Sequence, residues 1–204
     1  NILSILIFFF LIKKLFNTKV AAVSSFLLLI NGFSVAFGRT AQYQSFLLLF
    51  GLLSLYFLVL FIENTSKKYL LSFSFFFLAL AVLSHYDGLF YIIPFLVIMV
   101  SNHNSFKKSN GIAGWLLFSI TLFLILVSLF YLPYYLNGNF SSNSLGYLSR
   151  RISGNGYVSN NSLYTAKVYN PFFIPFIPLF FSLFGLAGQL SWKKTMLILW
   201  FVVP

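Results

Sequence analysis

Two carboxylates, Glu63 and Asp87, and two histidines, His85 and His103, occur in the 204 residues of this chain. Asp87 follows His85 by two positions in Ser84-His85-Tyr86-Asp87-Gly88, a short turn between two apolar limbs. Ionisable groups placed between apolar limbs are expensive to keep there, which marks them as functional candidates. An imidazole beside a carboxylate can hold a proton or meet an anion, although both groups can equally serve to cap the turn. Arg39, with Tyr43 one turn on, and the adjacent Arg150 and Arg151 supply guanidinium forks that match phosphate oxygens. The plainer alternatives are that Arg39 snorkels to lipid headgroups and that the arginine pair sits in a solvated loop. Glu63 lies four residues before Lys67 and reads as a helix-end ion pair with it. His103 lies among polar residues and is assigned nothing.

The elements that position these groups are membrane helices. Hydrophobic residues make up 60% of the chain and charged residues 7%, with a mean hydropathy of +0.93. A water-soluble domain carries about 25% charged residues. The fold class expected is therefore all-α, a polytopic transmembrane helix bundle. A net charge of +11 would suggest nucleic acid if it covered one soluble face. Here it is held in doublets at the ends of apolar runs, so no nucleic-acid partner is expected. Without cysteine there is no disulfide or thiol chemistry. No phosphate-binding glycine-rich loop, HExxH or GxSxG motif occurs.

Charge also predicts orientation. Lys13, Lys14, Lys19, Lys67, Lys68, Lys107, Lys108, Lys193 and Lys194 are separated by even numbers of crossings, so all fall on one side. Cationic loops are retained in the cytoplasm, which places Arg39, Arg150, Arg151 and Lys167 outside. The spans expected are Val20 to Phe37, Ser45 to Ile62, Gly111 to Tyr135 and Phe172 to Leu190. Between them, Tyr69 to Leu83 and Leu89 to Val100 form a shorter hairpin, either tilted or kinked at Pro94 or re-entrant. Residues 136–171 form one long extracytoplasmic loop, rich in Asn, Ser, Gly and Tyr. The sequons at Asn139 and Asn160 are expected by chance in so Asn-rich a loop. The apolar run before Lys13 is shorter than the roughly 20 residues of a span, and the run from Met196 to Pro204 is shorter still. Residues 1–204 accordingly read as a single transmembrane domain cut short at both ends.

The outer-facing segments, Gly38-Arg39-Thr40-Ala41-Gln42-Tyr43-Gln44-Ser45 and Ser84-His85-Tyr86-Asp87-Gly88, are followed by Arg150-Arg151-Ile152-Ser153-Gly154 and Tyr169-Asn170-Pro171. Together they resemble bacterial and archaeal members of the dolichyl-phosphate-mannose:protein mannosyltransferase family, glycosyltransferase family 39, which includes lipid A aminoarabinose transferases. The resemblance implies a C-type glycosyltransferase membrane fold in a bacterial or archaeal plasma membrane. It implies transfer of a sugar from a polyprenyl-phosphate donor to an acceptor on the extracytoplasmic face, with inversion. The acceptor is not identified, and membrane lipid is the other partner. Arg39 and Tyr43 match the family's outer helix-end position, and Arg150 and Arg151 a loop near the lipid phosphate; His85 joins them as a candidate ligand of that phosphate. The family's catalytic acid lies in a first outer loop that would precede Asn1, so no catalytic residue is assigned and Asp87 is only a secondary candidate. No cofactor is assigned, and a divalent cation stays open; His85 and Asp87 alone lack the third and fourth ligands of a metal site.

Two other readings compete with the transferase. A polyprenyl-linked sugar transporter or flippase would carry polar groups at mid-membrane depth. A non-catalytic membrane subunit would let Arg39, His85, Asp87 and Arg150 point in unrelated directions. The transferase requires them around one outward cavity.

Overall fold

A computed structural model describes residues 2–30, 43–107 and 111–138, together with Asn143 and Gly146. The described chain is all-α: helices α1 (Ile2–Leu15), α2 (Thr18–Ile30), α3 (Tyr43–Glu63), α4 (Tyr69–Ser84), α5 (Ile92–Ser101), α6 (His103–Lys107) and α7 (Ile112–Leu136), with a 3₁₀ turn at Tyr86–Tyr91 between α4 and α5. No strand occurs among the described residues. Helices are what an apolar phase demands, because each satisfies its own backbone groups where no water can. Two of them, α3 and α7, are long and apolar enough to cross a membrane. The protein is a membrane helix bundle.

Helix packing does not simply follow chain order. Asn17 caps α2 by accepting from the Val20 N–H at 2.9 Å, which makes the turn after α1 tight. α1 lies against α2 and α3, α3 against α4, and α4 against α7. Aliphatic side chains fill the middle: Leu11, Leu15, Leu52, Leu55, Leu58, Leu71, Leu78 and Ile98 are buried, with Phe61, Phe75 and Phe95. Phe75 meets Phe95 edge-on at 5.0 Å.

Serine hydroxyls lock α4 in place on both sides. Ser74 donates to the Ser54 carbonyl of α3 at 2.9 Å. Ser119 of α7 donates to Trp115 O at 2.7 Å. Its hydrogen is therefore spent, and Ser72 must be the donor in the 2.9 Å contact between the two hydroxyls. Small hydroxylated residues let helices approach closely and bond across an apolar phase. Near the other end, the Tyr131 hydroxyl donates to the Val82 carbonyl at 3.0 Å.

The hairpin of α4 and α5 turns at the extended His85 and the 3₁₀ turn after it, with Pro94 in the first turn of α5.

One expectation is corrected at Glu63, whose ion pair is with Lys14 at 2.8 Å. Lys67, the sequence neighbour, is not its partner in that bond. The contact joins the C-terminal ends of α1 and α3. The Cβ of any residue replacing Gly111 would lie 3.4 Å from Lys68 Nζ, so the start of α7 belongs to this same end. The hydrogen bond from Lys14 to Glu63, followed by their charge attraction, raises the lysine's pKa from its usual 10.5. Stability from the pair is thus fully present below pH 10.5 and is lost as pH rises through the higher folded value. Both side chains are about two-fifths exposed, at 41% and 42%, and exposed pairs contribute roughly 0.2–1 kcal/mol. A double-mutant cycle of Lys14→Met and Glu63→Gln in detergent at pH 8 should return a coupling in that range, which 1 M NaCl should shrink.

Candidate functional site

The last turn of α4 carries Ala81 and Val82, both buried. Gly88 lies directly on them: a Cβ there would overlap the Ala81 carbonyl and the Val82 nitrogen. Lacking a side chain, Gly88 lets the 3₁₀ turn fold back onto α4. Tyr91 completes the anchorage by laying its ring over Gly51 of α3, where a methyl group would collide with it. The turn is therefore clamped to two helices, and His85 to Asp87 are held where α4 ends.

His85 is the centre of this cluster. Its ring stacks on Tyr43, the first residue of α3, with centroids 4.0 Å apart and planes 11° from parallel. Tyr86 approaches it at 3.8 Å with a tilt of 37°. Two rings this near one imidazole must take opposite faces, so His85 is sandwiched. Its Nδ1 stands 2.9 Å from Asp87 Oδ2 and 3.2 Å from the Asp87 amide nitrogen. One nitrogen cannot serve both contacts at once. A protonated Nδ1 donates to the carboxylate; a bare Nδ1 accepts from the amide. The shorter contact and the opposite charges favour the first whenever the imidazole carries its proton. The side chains are 15% and 32% exposed, so the pair sits at the surface of the bundle and is half sheltered. The same two residues cap the 3₁₀ turn.

Tyr43, His85 and Asp87 thus come together at the end of the bundle opposite Lys14, Glu63 and Lys68. Tyr131, bonded to Val82, lies at the same end as the cluster. Tyr134 and Tyr135 follow it, exposed, on the last turn of α7, while exposed Trp115 lies at the helix's other end. This is the aromatic belt expected of a spanning helix. Arg39, Arg150 and Arg151 fall outside the described residues, as does nearly all of the 136–171 loop. Among the described residues, no group of three or more His, Asp or Glu could hold a metal ion. Sequence reasoning missed the roles of Gly51, Gly88 and Tyr91. A glycine inside the apolar run of α3 was the available signal for the first.

Gly88→Ala should push the turn off α4 and displace His85 from Tyr43. The expected cost is about 1–3 kcal/mol, the range for overpacking a close contact, read as a lower midpoint of thermal unfolding in detergent. An unaltered midpoint would show that the turn is not clamped as described.

No curated protein and no solved structure matches the chain. A family profile does: the one described as Dolichyl-phosphate-mannose-protein mannosyltransferase matches residues 1–131 of the 204. The match takes in Arg39, Tyr43, His85 and Asp87 and stops before Arg150 and Arg151. This membrane glycosyltransferase chain therefore belongs to the dolichyl-phosphate-mannose-protein mannosyltransferase family.

Proposed function

We propose that the protein transfers a sugar from a polyprenyl-phosphate donor to an acceptor hydroxyl on the extracytoplasmic side, and that Tyr43, His85 and Asp87 help to bind the donor's phosphate. The supporting observation is the cluster itself. A sandwiched imidazole backed by a carboxylate is gathered at the bundle end remote from Lys14 and Lys68. Tyr43 of α3 joining the His85–Asp87 turn is what the transferase reading requires of these three groups. The buried polar residues within the described helices are serines, without a mid-depth charge of the kind a carrier would use.

In the proposed reaction the acceptor oxygen attacks the anomeric carbon, and the bond from that carbon to the phosphate oxygen breaks with inversion. The electron pair leaves with the polyprenyl phosphate, and the acceptor's proton passes to a base. Asp87 is suited to orienting His85, since its carboxylate faces Nδ1. With Nδ1 turned to Asp87, it is through Nε2 that the imidazole serves the phosphate. Arg39, Arg150 and Arg151 are proposed to share that load as bidentate forks. Cations fixed in advance around a leaving phosphate stabilise the charge that develops there. Lys-rich ends in the cytoplasm and the His85 end outside complete the proposed topology.

The test is sugar transfer by the full-length protein in proteoliposomes supplied with a polyprenyl-phosphate sugar donor. His85→Ala and Arg39→Ala should each lower turnover roughly 10²–10³-fold, as removal of one oxyanion-stabilising donor does. Asp87→Asn should lose less, because an amide oxygen can still face Nδ1. Wild-type turnover in all three variants would remove the proposed role of the cluster.

A further inference from the structure

Helix α7 gives the described bundle only one of its faces. Ser119 is buried and bonded to Ser72 of α4. Leu116 and Phe123 lie against the core, and the Tyr131 hydroxyl reaches the Val82 carbonyl. Gly114, Leu117, Thr121, Leu124 and Ser128 are exposed. At 3.6 residues per turn, these five lie roughly 140–180° around the helix from Ser119. The apolar stretch of α7 is 6% buried, against 39% for that of α3. Among the described elements, α4 is its chief neighbour.

The five exposed residues recur at intervals of three and four. That is the spacing of a seam that takes a second helix at a shallow crossing of about 20°. Lipid tails cover leucines well but offer hydroxyl groups no partner. A glycine and two small hydroxylated residues instead let a neighbouring backbone come close and bond. The seam rises about 21 Å from Gly114 to Ser128, at 1.5 Å per residue.

We propose that the apolar run Phe172–Leu190 of the same chain packs antiparallel into this seam. The commitment to that occupant comes from where the chain goes. α7 ends on the side that carries His85, residues 136–171 are expected to stay there, and Phe172–Leu190 returns toward Lys193 and Lys194. A segment tethered in this way has an effective concentration of roughly millimolar beside its neighbour, against which a second copy must compete. The two sequences also match level by level. With Thr121 set opposite Ser182, Gly114 falls opposite Gln189 and Ser128 opposite Pro175, because the same interval of seven residues separates them on both segments. Two hydroxyls then meet near mid-depth, and the glycine leaves room for the long amide. In this register the centres of the two segments, Leu124 and Phe181, lie within about 3 Å of one depth. Both ends of the loop that carries Arg150 and Arg151 are thereby held at the end of the bundle where Tyr131 bonds Val82.

The experiment uses the full-length protein in nanodiscs, with any cysteine beyond these 204 residues replaced by serine, and copper phenanthroline as oxidant. Thr121→Cys with Ser182→Cys should form a disulfide within one chain, each thiol giving up a proton and an electron to copper(II). Ser119→Cys with Ser182→Cys, on the α4 side of α7, should not. Absence of the first link, equal yields from the two pairs, or a chain-to-chain disulfide from Thr121→Cys alone would overturn the proposal. In a second measurement, Thr121→Trp should lower the midpoint of thermal unfolding by roughly 5 °C, since it overfills a helix contact. An unchanged midpoint would mean that lipid covers this face, and would equally overturn the proposal.

Discussion

The antiparallel contact of α3 with α4 is the constraint on which the rest depends. In an apolar phase two leucine-covered helices gain little by leaving lipid for each other. What pins this pair is the bond from the Ser74 hydroxyl to the Ser54 carbonyl, set within close aliphatic packing. The register it imposes puts the first residue of α3 beside the residue that follows α4. Tyr43 consequently stacks on His85, and the stack is a product of helix packing more than of local preference. Slide α3 by one turn, about 5.4 Å, and the imidazole loses that face.

Polar groups are distributed with the same economy. At one end Lys14 and Glu63 tie α1 to α3 through an exposed ion pair that contributes modestly. At the other, His85 and Asp87 pair across two residues inside a turn that Gly88 and Tyr91 press against two helices. Between the ends, the hydroxyls of Ser72, Ser74 and Ser119 bond to a carbonyl or to each other, whereas those of Ser25 and Ser54 are buried without a partner among the described residues.

Much of this was legible in the residues. Apolar runs punctuated by Lys doublets announced membrane helices, and the positions of Tyr43, His85 and Asp87 at the ends of such runs suggested that they belong together. The resemblance to the mannosyltransferase family, carried by Gly38-Arg39 and Ser84-His85-Tyr86-Asp87-Gly88, agrees with the family match over residues 1–131. One local reading failed for an identifiable reason. Glu63 was paired with Lys67 by helical spacing, but Lys67 lies beyond the end of α3, and the i,i+4 rule holds only within one helix.

The order of apolar runs and lysine doublets determined that this is a membrane helix bundle and, within a few residues, where α3, α4 and α7 begin and end, because those properties follow from transfer of side chains between water and lipid. It could not determine which face of each helix is inside. α3 and α4 are apolar all round, so no stripe marks a core in the way it does for a soluble helix. Only the assembled structure chose which leucines fill the interior and brought Phe57 of α3 face to face with Phe77 of α4. The choice rests on where Gly51, Ser54, Ser74 and Gly88 permit backbones and rings to come close. Such fits between separate segments arise from shape, which hydropathy does not record.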